Sequence, residues 1–558
     1  MSRFLELLVA TSAGSPSAPP SDRGITTGEP SAPRRRPWTE VHASALRIAG
    51  DLAAGGLRRG DAVGVLAGDP ALIAPAVQGV WLAGGAVTML HQPTARTDLA
   101  AWAADTVTVL GMIDAQVVLL GAPFDALAPV LAERGIAYRT LADLGDTAEP
   151  LTAPVAADED DTALLQLTSG STADPKAVRI THGGLYANMT AMVQAVGIER
   201  DTDVMVSWLP LFHDMGMVGF LTLPMAFGIE LVTVTPVDFL GAPLLWADLI
   251  TRYRGTITAA PNFAYGLLAR RLATADREFD LGSMRFALNG AEPIEPAAVR
   301  AFTDAGARSG LDPRSVVAAY GMAEATLGVS FAPTGVGLQS DVVDAESLES
   351  GRVARPAGGG RTRTFPLLGP PLPGIEVRVV DDAGAELPDR GVGRLQVRGE
   401  SVTREYLTTA GPVRTQDADG WLDTGDEGYL ADGRIVVCGR RKDVIIMGGR
   451  NVYPTDIERA AALVDGVRAG NVVAVRLDSG TGGAARRESF AVAVESSRSG
   501  DADAERVIRR EVTSRVVDAV GLRPGAVVVL PPAALPKTPS GKLRRATARE
   551  RVQELVGD

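Results

Sequence analysis

The chain has a single cysteine, Cys438, among its 558 residues, so it cannot close an internal disulfide and carries no framework suited to an oxidising compartment. Aromatic residues make up only 5%, charged residues 22% and apolar residues 46%. That balance excludes a disordered, collagenous or coiled-coil protein and indicates a soluble globular one. A basic surplus is missing too: 55 Lys and Arg face 67 Asp and Glu, a net charge of −12, which on average repels nucleic acid and anionic membrane surfaces. The most apolar stretch, Ala71 to Leu90, is diluted by Pro75 and Gln78 and lacks flanking anchors. It reads as a buried helix followed by a strand, and no membrane span is expected. The opening MSRFLELLVATSAGSPSA resembles a weak signal peptide, but its apolar run is short and carries Glu6, so a cytoplasmic protein is expected. No repeat of fixed period is visible, which excludes a solenoid.

Lysine is scarce. Arginine supplies nearly all the positive charge, and only Lys176, Lys442, Lys537 and Lys542 remain. Lysine is a compact point charge and arginine a wide planar fork, so lysines surviving in such a composition mark places where a guanidinium will not serve. For Lys537, chance is an equal alternative. Lys176 lies in LLQLTSGSTADPKAVRITH, where an apolar strand, Ala163 to Leu167, runs into Thr168, Ser169, Gly170, Ser171 and Thr172. Hydroxyls and backbone N–H groups in such a turn can wrap phosphate oxygens, and Lys176 can add charge. The Walker A spacing is absent, which disfavours a P-loop kinase or GTPase. Standing alone, the turn could equally be a plain loop.

The length points to several domain-sized units. Residues 11–37 are rich in Ser, Pro and Gly and read as an irregular arm, its Arg34-Arg35-Arg36 as a solvated turn before an amphipathic helix near Thr39. From there to Gly433, strand-like runs such as AVGVLAG, AQVVLLG and ELVTVTPV alternate with Ala/Leu-rich helical segments. The expectation is an α/β fold: a large N-terminal domain of layered sheets and helices over residues 1–433. Shorter strands (RIVVCG, DVIIMGG, NVVAVRL, FAVAVES) and two helical stretches then suggest a small, mobile α+β domain over residues 434–558.

TSGSTADPKAV resembles the phosphate-binding signature of the adenylate-forming superfamily. SWLPLFHDMG, NGAEP, AAYGMAEATL, GWLDTGDEGYL, GRRKD and PKTPSGKLRR follow in the superfamily's order, and seven colinear motifs make coincidence untenable. The resemblance implies attack of a carboxylate on the α-phosphate of ATP, with Mg²⁺ as cofactor. It implies Glu324 as the Mg²⁺ ligand with Thr172 beside it, and Thr168 to Thr172 and Lys176 on phosphate. It further implies Gly290, Ala291, Tyr320, Gly321 and Met322 around adenine, Asp426 on the ribose hydroxyls and Arg440 on ribose or phosphate. Lys542 would be the catalytic lysine and Lys442 the hinge.

SWLPLFHDMGMVG and AAPNFAYGLL are similar to the fatty acyl-AMP ligase branch. They imply His213 at the mouth of an acyl pocket walled by Phe220, Met225 and Phe263. Residues 328–367 look like that branch's extra segment, which would brake domain rotation and favour an acyl carrier protein over free CoA as acceptor. The expected enzyme is thus a monomeric fatty acid–AMP ligase. An acyl-CoA synthetase, or a non-catalytic binder of acyl groups or nucleotide, stays open as an alternative.

Overall fold

Asp69 caps the helix Pro70–Leu82, its side chain accepting from Ala71 N–H, and Pro70 supplies the preset first-turn φ. Every residue from Ile73 to Leu82 is buried, and the strand Ala86–Met89 that follows is buried throughout. The apolar run at 71–90 is therefore interior. Among the described residues no helix is long and apolar enough to cross a membrane. The computed structural model describes residues 1–14, 21–94, 97–144, 149–168, 174–477, 488–537 and 543–557.

Two eight-stranded sheets organise the large domain. The first has a parallel centre, Val316–Gly321, Phe286–Gly290, Ile257–Pro261, Val204–Ser207, Glu230–Thr233 and Gly24–Thr27, with antiparallel Gly328–Phe331 and Arg34–Pro37 at its edges. In the second, parallel strands Tyr138–Thr140, Ala115–Leu120, Ala62–Leu66, Ala86–Met89 and Thr162–Thr168 continue into antiparallel Lys176–Thr181, Glu405–Thr408 and Gly411–Arg414. Ala62–Leu66 and Glu230–Thr233 are buried at every position, as central strands covered on both faces should be. This is the α/β layering expected from the alternating pattern.

The described parts of the arm at 11–37 carry regular structure that its composition does not suggest. Ser2 caps a helix, Arg3–Ala13, whose Phe4, Leu5 and Leu8 are fully buried. Gly24–Thr27 joins the first sheet beside Glu230–Thr233, and Arg34–Pro37 forms its edge. The arginine run is not a solvated turn. Arg35 grips Glu230 through two nitrogens at 2.6 and 2.8 Å, and Arg36 reaches Glu40 at 2.9 Å. These pairs satisfy charge on a strand edge that also resists further pairing.

A four-stranded antiparallel sheet, Ile375–Val380, Gly393–Gly399, Leu422–Ala431 and Arg434–Arg440, follows. Its last two strands form a hairpin around Gly433, so the boundary read at 433/434 falls inside a hairpin and RIVVCG stays with the large domain. Beyond Arg440 a separate apolar core forms around Ile457, Phe490, Val512 and Val516. Helices Pro454–Ala462, Ala502–Val520 and Arg545–Gly557 and the strands Val467–Leu477, Ser489–Ser496 and Ala526–Leu530 build this small α+β domain.

Candidate active site

Strand Val316–Gly321 delivers Tyr320 and Gly321, and the single turn Ala323–Ala325 directly after it delivers Glu324. Gly321 is required where it stands, because a Cβ there would lie 2.4 Å from the carbonyl oxygen of Leu327. The tight return lets Met322 N–H donate to that carbonyl at 2.8 Å.

Tyr320 reaches across to the four-stranded sheet. Its hydroxyl donates to Asp426 Oδ2 at 2.5 Å, while Arg440 Nε lies 3.0 Å from Oδ1. Arg440 also donates from Nη1 to the Thr424 carbonyl at 3.1 Å. Asp426 and Arg440 face each other across the hairpin, which explains why residues fourteen apart in sequence converge. Asp426 is 5% exposed, and burial pushes its carboxyl upward against the pull of Arg440 and Tyr320. Two oxygens of a buried carboxylate, each already facing a donor, can exchange those donors for a vicinal diol.

Gly290 ends strand Phe286–Gly290 and Ala291 follows at φ 67°, a left-handed turn. Beside them the buried Asn289 Oδ1 has no hydrogen-bond partner. Asn289 is held through its Nδ2, which donates to Asn262 Oδ1 at 3.2 Å.

The phosphate end begins with the hairpin Thr162–Thr168 and Lys176–Thr181. Thr168 Oγ1 is buried without a partner; Ser169, Gly170, Ser171 and Thr172 lie outside the described residues. Lys176 Nζ stands 3.6 Å from Glu324 Oε1. A residue the sequence reading passed over, Tyr406, completes the cluster by donating its hydroxyl to Glu324 Oε1 at 2.6 Å. Burial, then the Glu324 charge, pushes that phenol far above its ordinary value. The site thus pairs a buried carboxylate held by Tyr320 and Arg440 with a carboxylate and a lysine suited to phosphate and a hard cation.

A sequence profile described as AMP-binding enzyme matches residues 19–407. The chain belongs to the AMP-binding enzyme family. It is 55% identical over 551 residues to a Mycobacterium tuberculosis protein named "Putative ligase Rv1013", covering 98% of this chain and 99% of that one. It is 34% identical to the M. tuberculosis long-chain-fatty-acid–AMP ligase FadD28 over 417 residues, 70% of each. A structure from a study of fatty acyl-adenylate ligases of E. coli and L. pneumophila is 28% identical and superposes with a TM-score of 0.88 over 100% of this chain and 98% of that one. The protein is accordingly an enzyme of the adenylate-forming ligase class.

The residues that the resemblance places at an acyl pocket lie around the segment 208–225 and at Phe263. His213 Nδ1 is 2.6 Å from Asp214 Oδ1, and the preceding Phe212 carbonyl accepts from Gln166 at 3.0 Å. Residues Met215–Thr222 are wound as a π-helix, a form common at functional sites. Gly216 is fixed there, since a Cβ would meet the Pro210 carbonyl oxygen at 2.2 Å. Phe220 and Met225 are buried, at 5% and 0% exposed, but Phe263 is 42% exposed. Its ring lies 6.2 Å from Trp208, so it sits at a surface rim rather than in an interior wall.

Lys442 occupies the turn Arg441–Asp443 and is exposed, and partial desolvation of its ammonium lowers its pKa. Lys542 lies outside the described residues. Its flanks are anchored in the small domain: Lys537 donates to the Gly470 carbonyl at 3.2 Å, and Arg545 lies 3.4 Å from Asp443. Arg544 is close enough to depress the pKa of His91, whose ring lies 5.7 Å from Phe212.

The segment 328–367 supplies contacts that sequence reading did not foresee. After Gly328–Phe331 it forms a two-stranded hairpin, Ser340–Asp344 with Thr362–Pro366, and a helix, Ala345–Glu349. Glu349, 2% exposed as a side chain, accepts from Arg361 and from Arg450 of the small domain at 2.7 Å. Arg363 pairs with Asp456 at 2.7 Å and lies between the rings of Phe365 and Tyr453. Glu427, next to Asp426, accepts from Tyr453 at 2.7 Å and from Arg352.

Proposed function

We propose that the protein is an ATP-dependent fatty acyl-AMP ligase acting on a medium- or long-chain fatty acid. The carboxylate attacks the α-phosphate of ATP, the bond to pyrophosphate breaks, and the acyl-adenylate remains. Its acyl group then passes to the phosphopantetheine thiol of an acyl carrier protein. The observation that carries this reading is the opposed pair of clusters, Tyr320–Asp426–Arg440 and Lys176–Glu324, separated in sequence by one strand end and one turn. A nucleoside fits the first and a polyphosphate the second.

Bringing a carboxylate to a triphosphate brings two anions together, so the residues' main task is placing positive charge where it develops. Arg440 and Lys176 are the cations assigned to this, and Lys542 is the one assigned to the reacting carboxylate. Glu324 offers a hard oxygen, and its second carboxylate oxygen takes no hydrogen bond among the described residues, which suits Mg²⁺. With Thr172 as the expected neighbour, bound Mg²⁺ would neutralise charge on the phosphates. The likeness to FadD28 supports a fatty acid as the substrate. The buried ion pairs between residues 349–363 and the small domain support a carrier-bound thiol over free CoA, because they oppose the rotation that would admit CoA. We further assign the protein to the cytoplasm as a monomer.

The test is one incubation with labelled lauric acid, Mg-ATP and either CoA or phosphopantetheinylated carrier protein, resolving acyl-AMP, acyl-CoA and acyl-protein. Acyl-AMP and acyl-protein with little acyl-CoA is the expected result. Abundant acyl-CoA would assign the protein to the CoA synthetases, and absence of all three products would remove the adenylation reading.

A further inference from the structure

Strand Glu405–Thr408 runs antiparallel to Lys176–Thr181, with Thr408 opposite Lys176 and Tyr406 opposite Val178. Residues two apart share a face of the sheet, so Tyr406 is the diagonal neighbour of Lys176. The Lys176 ammonium lies over the Tyr406 ring, 3.9 Å from its centroid. The hydroxyl of the same ring donates to Glu324 Oε1 at 2.6 Å, the oxygen that Lys176 also faces at 3.6 Å. One side chain therefore touches both charged groups at the phosphate end of the site, through two different interactions.

The neighbouring backbone holds the same residue by its main chain. Thr403 N–H donates to the Glu324 carbonyl at 2.7 Å, and the Thr403 hydroxyl donates to the Arg179 carbonyl at 2.6 Å. Residues 403–406 thus tie the Glu324 turn, at main chain and side chain, to the strand that carries Lys176. That turn has only three residues and is followed by Thr326 at φ 72°, so it has little means of its own to hold the Glu324 carboxylate in one orientation.

We propose that Tyr406 is a positioning residue of this site: its hydroxyl occupies one oxygen of Glu324 and leaves the other for Mg²⁺, while its ring seats Lys176 for the phosphates. The proposal rests on the adenylation reading above. A carboxylate that must ligate a cation while a lysine stands beside it has two competing partners. The Tyr406 hydroxyl lets Glu324 remain oriented without closing fully onto Lys176, and the ring face holds that ammonium by cation–π attraction.

The experiment is calorimetric binding of a non-hydrolysable ATP analogue across a Mg²⁺ series, with AMP as a control, for the full chain and for Tyr406→Phe and Tyr406→Ala. AMP carries the adenosine that Asp426 and Tyr320 would hold but lacks the β- and γ-phosphates. Tyr406→Phe should bind AMP as the parent does, yet require about 10-fold more Mg²⁺ for half-maximal analogue binding, the lower end of what supporting residues contribute to metal affinity. Tyr406→Ala should lose analogue affinity even at saturating Mg²⁺, because Lys176 loses its seat. An unchanged Mg²⁺ series in Tyr406→Phe would overturn the proposal, as would an equal loss of AMP affinity, which marks a structural role. If the parent chain bound neither AMP nor the analogue, the adenylation reading itself would fall; parent binding with an unaffected Tyr406→Phe removes only the role of Tyr406.

Discussion

His182 opens the helix His182–Val196 and is 2% exposed, its Nδ1 3.0 Å from the Ser2 hydroxyl. Burial pushes its pKa down to about 4, although Asp161 and Glu159 pull upward. His91 is likewise lowered to about 4, first by burial and then by His213 and Arg544. Between pH 4 and 6.5 the unfolded chain therefore binds protons that the folded chain refuses. Stability rises with pH across that window and is lost as pH falls through it, by up to about 1.4 kcal/mol per pH unit for each group. Denaturant titrations should show the midpoint falling from pH 7 to pH 4.5. His182→Gln should flatten the dependence, and an unaltered slope in that variant would show that His182 contributes no part of it. Neither effect was visible in sequence, since burial of a histidine depends on what packs over it. Tyr406 and Glu427 were missed for the same reason: their partners Glu324 and Arg352 are remote in the chain, Tyr406 lies outside the recognised motifs, and Glu427, inside one, has no task in it that the sequence shows. Tyr320, Asp426 and Arg440 were legible because each belongs to a short motif with a fixed chemical task.

At the scale of elements, patterns of strand and helix were readable wherever an element was long or uniformly apolar, as in Ala115–Leu120 and Pro70–Leu82. The four-residue strands Gly24–Thr27 and Arg34–Pro37 were not, because they are too short to display a period and are held by pairing and by the distant carboxylate of Glu230. The hairpin around Gly433 hid the domain boundary by looking like one more strand of the small domain. With that hairpin assigned, the junction becomes the turn Arg441–Asp443. Proline is tolerated in a first helical turn, whose N–H groups lack intrahelical partners, but it fixes φ near −65°. Lys442→Pro should therefore retain most acyl-adenylate formation while slowing transfer to carrier protein by roughly an order of magnitude, if transfer uses a backbone rotation at this turn. Single-turnover assays of each half-reaction separate the two; unimpaired transfer would place the hinge elsewhere.

For the whole molecule, the decisive feature is the set of charged contacts joining the two domains. Arg363 is 7% exposed and pairs with Asp456, with its Nε and Nη1 lacking partners. Glu349 binds Arg450, and Arg459 binds Glu295, four residues after Ala291. Rotating the small domain away would break the Arg363–Asp456 and Glu349–Arg450 pairs, and losing one partner of a pair that stays buried costs roughly 3–5 kcal/mol, an upper bound where water replaces it. This barrier acts on the domain arrangement, not on the nucleotide contacts. Arg363→Met removes the buried charge and places a flexible apolar chain between Phe365 and Tyr453, whose rings suit a thioether. In the rotated arrangement it leaves no unpaired cation behind. The variant should keep its adenylation rate and gain about 10-fold in acyl-CoA formation at saturating CoA, since each 1.4 kcal/mol is a factor of ten. Unchanged acyl-CoA formation with normal adenylation would show that the Arg363 pair does not restrain the domain, and that acceptor choice is set in the thiol's own path.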